Sequence, residues 1–153
     1  MIIKSFELDR TSLEKYHFFL FYGENNGHKE EIIKKIPQKV KIEKTTYFEN
    51  EILSNSDVFF NSLSSKSFFE TEKLIVVSKV TDKFKGIIDE IFEKNFKDIT
   101  IILNADELNK KSKLRSFFEK EKSLICTPFY QDNYQTLARL ASDFFQKKQV
   151  SVS

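Results

Sequence analysis

The sequence predicts an α/β fold, a five-stranded parallel sheet with helices on both faces. Three observations carry that expectation. Short apolar runs alternate with stretches of helical periodicity along the whole 153 residues. Several of the runs, "HFFLFY", "KLIVVS" and "DITIIL", are almost wholly apolar, as strands buried on both faces are. No internal repeat or low-complexity linker divides the chain, and its length suits one domain with a real core. Short connections and right-handed crossovers narrow the arrangement to a doubly wound sandwich.

The elements follow in order. His17 to Tyr22 is the first strand, ended by Gly23. Gly27 to Ile36 is a helix with Ile32, Ile33 and Ile36 on one side, closed by Pro37. "KVKIEKTTYF" alternates and is β-branched, so it is a half-exposed strand, and its charge places it at an edge of the sheet. One helix is expected from about Asn50 to Leu63, burying Ile52, Phe59 and Leu63. "KLIVVS" is the third strand. "DKFKGIIDEIFEKN" then sets Phe84, Ile87, Ile88, Ile91 and Phe92 on one helical face. "DITIIL" is the fourth strand, with a helix near Ser112 to Lys120 after it. "SLICT" is the fifth, and its helix carries Tyr134, Leu137, Ala138, Ala141, Phe144 and Phe145 as a stripe. The strands starting near His17, Leu74 and Ile101 belong at the centre.

Composition narrows the function classes. With 25 basic and 23 acidic residues the net charge is +2, which offers no concentrated basic field for nucleic acid. No apolar run approaches the length of a membrane span, so no membrane partner is expected. "MIIKSFELDR" lacks the basic start and sustained apolar stretch of a secretory signal. A single cysteine, Cys126, suits a reducing compartment, and the expected location is cytoplasmic. Lys, Ile, Phe and Asn are favoured while Arg stands only at 10, 115 and 139, a skew of the kind AT-rich codons produce. Most of the 17 phenylalanines are then core filler.

"FLFYGENNGHKEEIIKKI" has the outline of a phosphate-binding loop, an apolar strand broken by glycine before a helix with an early lysine. The details disagree. Gly23 and Gly27 are one residue too close for GxxxxGK[ST], and His28 separates Gly27 from Lys29. Glu30 stands where a magnesium-binding hydroxyl belongs, and Glu24 brings a carboxylate to the place of the phosphates. The expectation is a strand-to-helix turn kept for packing, without nucleotide or other cofactor. After the fourth strand, Asn104, Asp106 and Glu107 could stand in for a magnesium aspartate, but a turn and helix start explains them more simply. His17 reads as a strand-end residue and His28 as a solvated residue of the helix start. With two histidines and one cysteine, neither a metal cluster nor a nucleophilic triad has support, so no catalytic or metal residue is assigned. Cys126 reads as a small buried hydrophobe.

"NSLSSKSFFETEKLIVV" carries the other signal. Phe68 and Phe69 are adjacent in a polar setting before a strand, and adjacent side chains diverge in either secondary structure. One reading puts one ring in the core and the other on a loop. The functional reading is an apolar plug for a partner's groove, with Lys66, Glu70 and Glu72 as its polar rim.

Taken in order, "FLFYGEN", "SFFETEKLIVV", "ITIILNADELNKKSKLRSFF" and "CTPFYQDNYQTLARLASDFF" resemble the delta subunit of the bacterial DNA polymerase III clamp loader. The resemblance covers nearly the whole chain and follows that family's N-terminal domain. It implies a P-loop-NTPase, AAA+-like fold without a working phosphate loop, in agreement with the defects at Gly23, Gly27, Lys29 and Glu30. It also implies a non-catalytic component of the DNA polymerase III holoenzyme that holds the sliding clamp (the beta subunit) and helps open it for loading onto DNA. The family's apolar clamp-contacting pair maps onto Phe68 and Phe69. Residues 1–153 would be the single N-terminal domain, with the lid and collar domains that join other loader subunits absent from this chain, and DNA met only indirectly. Two further readings stay open. One is a nucleotide-binding enzyme with a degenerate loop around Lys29; the other is a nucleic-acid-binding module using "NKKSKLR", Asn109 to Arg115.

Overall fold

The structure, a computed structural model, describes residues 1–10, 13–36, 42–64, 72–96 and 98–130. Five strands, β1 (Phe18–Tyr22), β2 (Ile42–Phe48), β3 (Glu72–Ser78), β4 (Ile99–Asn104) and β5 (Ile125–Pro128), form one parallel sheet in the order β2-β3-β4-β1-β5. The three apolar runs take the centre, and β2, which exposes Lys44 and Thr46, takes an edge as its charge predicted.

The helices are α1 (Asn26–Lys35), α2 (Glu49–Ser54), α3 (Ser56–Ser64), α4 (Lys85–Lys94) and α5 (Lys113–Lys120). The β1-to-β2 crossover travels one way across the sheet, and the later crossovers travel the other way. With a constant hand of crossover, opposite travel puts helices on opposite faces. The two cores agree. Ile32 and Ile33 of α1 pack with Phe19, Phe21, Leu74, Val76, Ile102 and Ile125. Residues of α2 to α5, among them Ile52, Phe59, Ile88, Leu114 and Phe118, pack with Leu20, Ile75, Val77, Ile101, Leu103 and Cys126. Successive strand residues thus feed opposite cores, and both faces of the central strands are dry. Fully burying one such side chain contributes about 1.5–3 kcal/mol before the entropy of ordering it.

Two expectations need correcting, and one segment enters the fold without having been assigned to it. The single helix from Asn50 to Leu63 is two, broken at Asn55 with φ −151° and ψ 72°. The polar triplet Ser54-Asn55-Ser56 offers the backbone alternatives to helix bonds, so the break falls there although Ile52, Phe59 and Leu63 are all buried. Phe92 is 37% exposed instead of sharing the dry face of α4. Its ring lies beside Phe18 and Phe117, with centroids 4.6 and 5.8 Å away. The N-terminal segment, read above only for the absence of a signal, belongs to the fold. Ile2 makes a parallel bridge with Cys126, a 3₁₀ turn covers Ser5–Arg10, and Ile3 and Leu8 are buried. The last expected helix, Tyr134 to Phe145, lies outside the described residues. Among the described residues no helix is long and apolar enough to cross a membrane.

One side chain in β5 is poorly served. Thr127 is fully buried, and its hydroxyl has no hydrogen-bond partner among the described residues. A buried hydroxyl in that state forfeits its hydration without compensation. Thr127→Val is therefore expected to stabilise the domain by about 1 kcal/mol, read as a rise in the urea midpoint at constant slope. A lower midpoint would mean that the hydroxyl is satisfied after all.

Candidate functional site

The loop from β1 to α1 lies at the carboxyl ends of the strands, beside the boundary between β1 and β4. There the two crossovers leave for opposite faces, which is where open α/β sheets usually take ligands. Gly23 opens the turn at φ +117°, and a Cβ on it would stand 2.0 Å from the Phe129 carbonyl oxygen. In a phosphate loop the N–H groups that follow would point at the anion. Here they donate to the protein itself. The Gly23 N–H goes to the Asp106 carbonyl at 2.8 Å and the Asn25 N–H to the Phe129 carbonyl at 3.3 Å. The Asn26 N–H reaches the Glu24 carbonyl at 2.9 Å, and Asn25 caps α1 by accepting the His28 N–H at 3.1 Å.

Lys29 completes the closure. Its side chain is 0% exposed, and Nζ donates to the Ala105 carbonyl at 2.8 Å, across the ends of β1 and β4. Burial pushes its pKa below the ordinary lysine value, while Asp106 nearby pulls the other way. The sequence showed this lysine out of register for a phosphate; its full burial required Ala105 to be in place. His28, expected in solvent, is half-buried with its ring edge-on to Phe129, centroids 5.1 Å apart. Gly27 has open space around it, and Glu30 is exposed. Glu24 shares a hydrogen bond with the Glu107 side chain, which holds the Glu107 carboxyl above its usual range. A carboxylate pair thus occupies the mouth of the loop.

Beyond β4 the chain is organised around the start of α5. Ser112 accepts the Arg115 N–H at 3.1 Å, and its hydroxyl donates to Asp82. The Asp82 carboxylate also accepts the Lys113 and Leu114 N–H groups, both at 3.4 Å, so the first turn of α5 is capped twice. Asp106 forms an exposed ion pair with Lys79 at 3.4 Å. Lys79, Thr81, Asp82, Asp106, Asn109 and Ser112 line a shallow groove of about 330 Å³. Among the described residues no group of three His, Cys, Asp or Glu side chains is placed to hold a metal ion. Cys126 is fully buried, and desolvation pushes its thiol up to about 12.

The "NKKSKLR" stretch divides. Lys110, Lys111 and Lys113 are exposed, whereas Arg115 is folded back on the protein. Its Nε bonds Glu119 at 2.6 Å, Nη1 donates to the Leu108 carbonyl at 2.8 Å, and the guanidinium lies 4.9 Å from the Tyr22 ring centre.

Phe68, Phe69, Lys66 and Glu70 lie outside the described residues; Glu72, exposed, opens β3. The flanks of that segment are well anchored. Lys73 Nζ donates to the Ser62 carbonyl at 2.6 Å, tying the end of α3 to the start of β3, and the Lys73 N–H donates to the Asp98 carbonyl at 2.9 Å. Those two bonds lie at the amino end of β3, the end of the sheet opposite the Gly23 loop. Adjacency alone does not expose an aromatic ring in this fold, because Phe59 and Phe60, neighbours on α3, are both buried. Their rings sit 5.7 Å apart in a wedge between Tyr47 and Phe96. No family model and no curated protein matches the chain.

Proposed function

We propose that this domain is a non-catalytic, AAA+-like module of a bacterial clamp loader, the N-terminal domain of a delta subunit, that binds the polymerase sliding clamp and helps open it. The observation that carries the non-catalytic half is the buried Lys29. Its ammonium is held by the Ala105 carbonyl, and the turn's N–H groups are bonded to Asp106, Phe129, Glu24 and Asn25. An anion would have to displace those bonds and settle beside Glu24 and Glu107. The clamp-binding half rests on the resemblance of the chain's four segments, in order, to that family. The parallel α/β sheet supports it at the level of fold class alone. On this reading the domain works in the cytoplasm, meets DNA only through the clamp, and acts beside other loader subunits. The involvement of Arg115 with Glu119 and Leu108 leaves the nucleic-acid reading only a row of solvated lysines.

Calorimetric titration of the domain with a bacterial sliding clamp tests it directly. Binding is expected, and Phe68→Ala with Phe69→Ala should weaken it about thirtyfold to a thousandfold, the ordinary effect of losing an aromatic anchor. Thermal melting of the same double variant separates the alternatives. A variant that melts normally and binds normally removes the pair as the anchor, and one that unfolds assigns both rings to the core.

A further inference from the structure

β2 ends one side of the sheet, and no strand lies beyond it among the described residues. It pairs with β3 along all of Ile42–Phe48, and pairing on one side uses only half of a strand's backbone groups. The other half faces outward as a row of N–H and C=O groups, a ready template for one more strand. The opposite edge of the sheet differs, because Ile2 bridges to Cys126 beside β5.

The side chains of β2 sharpen the contrast. Tyr47 turns toward α3, where its ring meets Phe59 with centroids 5.5 Å apart. Lys44, Thr46 and Phe48 alternate with it onto the other face, and all three are exposed, Phe48 by 51%. Leu53 of α2 and Val58 of α3, the two helices that follow β2, are exposed as well. Apolar surface thus gathers on the flank of the sheet that ends at β2. The charges that discourage pairing at an edge guard only the first half of the strand. "KVKIEK" stops at Lys44, and "TTYF", residues 45–48, is uncharged and built of residue types that favour strands.

We propose that the outer edge of β2 is a self-association surface, to which β2 of a second copy adds as an antiparallel strand and joins the two sheets into one. A two-fold axis normal to the sheet brings identical edges together antiparallel and keeps like faces on one side. The side chains choose the register. Centring on Lys44 sets two ammonium groups against each other. Centring on Thr46 keeps the pairing within residues 44–48 and sets Thr46 against its copy, Thr45 against Tyr47 and Lys44 against Phe48. Threonine pairs and pairs of an aromatic with a β-branched residue are among those that stabilise sheets. The aliphatic stem of Lys44 then covers the exposed Phe48 ring of the other copy, with its ammonium toward the ring's face. Each exposed side chain on that face gains a partner, and no like charges meet. The contact also closes on itself, since two joined edges leave no β2 free for a third copy.

Sedimentation of the full 153-residue chain tests this. An edge contact of this size is weak, so the native chain should pass from monomer to dimer between about 10 μM and 1 mM. Thr46→Lys and Thr46→Glu each set like charges across the axis and should weaken dimerisation by roughly tenfold or more. An equimolar mixture of the two opposes lysine to glutamate and should recover the dimer as a mixed pair. Neither partial unfolding nor a different contact surface would produce that recovery. Thermal melting checks that these exposed substitutions keep the fold. If either variant fails to fold, Phe48→Ser, at the end of the same pairing, takes its place with the same expected loss. A native chain that stays monomeric up to about 1 mM, or that grows into open polymers, overturns the proposal and leaves the edge to some other strand. So do Thr46 or Phe48 variants that dimerise as well as the native chain, and a mixture of the two charged variants that stays monomeric.

Discussion

Gly23→Ala is expected to destabilise the domain by about 3 kcal/mol or more, while Gly27→Ala, four residues on, leaves it unchanged or slightly stabler. At Gly23 the backbone stands at φ +117°, which L side chains rarely adopt, and the new Cβ would meet the Phe129 carbonyl oxygen at 2.0 Å. That neighbour is backbone and cannot rotate away. The Phe129 carbonyl accepts the Asn25 N–H, and the Phe129 N–H donates to the Tyr22 carbonyl at 2.7 Å. Making room therefore pulls apart the carboxyl ends of β1 and β5. Loss of those two bonds, at about 0.5–1.5 kcal/mol each, adds to a left-handed strain of about 1–3 kcal/mol. Gly27 sits in the first turn of α1 with only Asn25 Oδ1 near, at 4.0 Å, so alanine there meets no obstacle and gains helix propensity. Urea unfolding of the two variants reads the contrast. Equal midpoints would show that Gly23 is not needed for the close approach of Phe129. The glycine that looks like half of a phosphate loop is thus explained by a neighbouring strand.

The sheet was legible in the sequence because its information is local. Strands buried on both faces must be continuously apolar, so β1, β3 and β4 announced themselves and their central positions. The charges of "KVKIEK" likewise expressed an edge. Features that depend on distant partners were not legible. The spacing of Ile52, Phe59 and Leu63 suits one unbroken helix, and only the backbone competition of Ser54, Asn55 and Ser56 hinted at two. "MII" at the start is too short to carry a period, and its place is set by β5 more than a hundred residues away. At the loop, the wrong spacing and the wrong charges were readable from Gly23 to Glu30. Which groups would occupy the vacated bonds was not, because the carbonyls of Ala105, Asp106 and Phe129 reach the turn only through the folded sheet. Carbonyl acceptors are the same for every residue type, so they leave no mark in a sequence.

Lys29→Ala should cost about 2–4 kcal/mol, because it removes a fully buried stem and the ammonium that bonds the Ala105 carbonyl. Lys29→Met keeps the stem's volume and removes a desolvated charge together with its bond, so its loss should be the smaller of the two. The pH dependence identifies the charge. Burial holds the folded-state pKa of Lys29 below its ordinary 10.5. Between the folded value and 10.5 the unfolded chain keeps a proton that the folded chain has released. Stability from this group therefore rises with pH through that window, and below it the cost of burying the ammonium is constant. The gap between the native chain and Lys29→Met should accordingly shift in favour of the native chain as the pH is raised toward 10.5. A gap independent of pH would mean that Lys29 is not desolvated in solution. The same variants separate a structural lysine from a phosphate-binding one. ATP with magnesium should give no heat with either the native domain or Lys29→Ala. Micromolar binding by the native domain, abolished in an alanine variant as stable as the native chain, would instead assign Lys29 to a nucleotide. A lysine spent on Ala105 predicts the reverse pairing, stability lost and nucleotide affinity unchanged at nil.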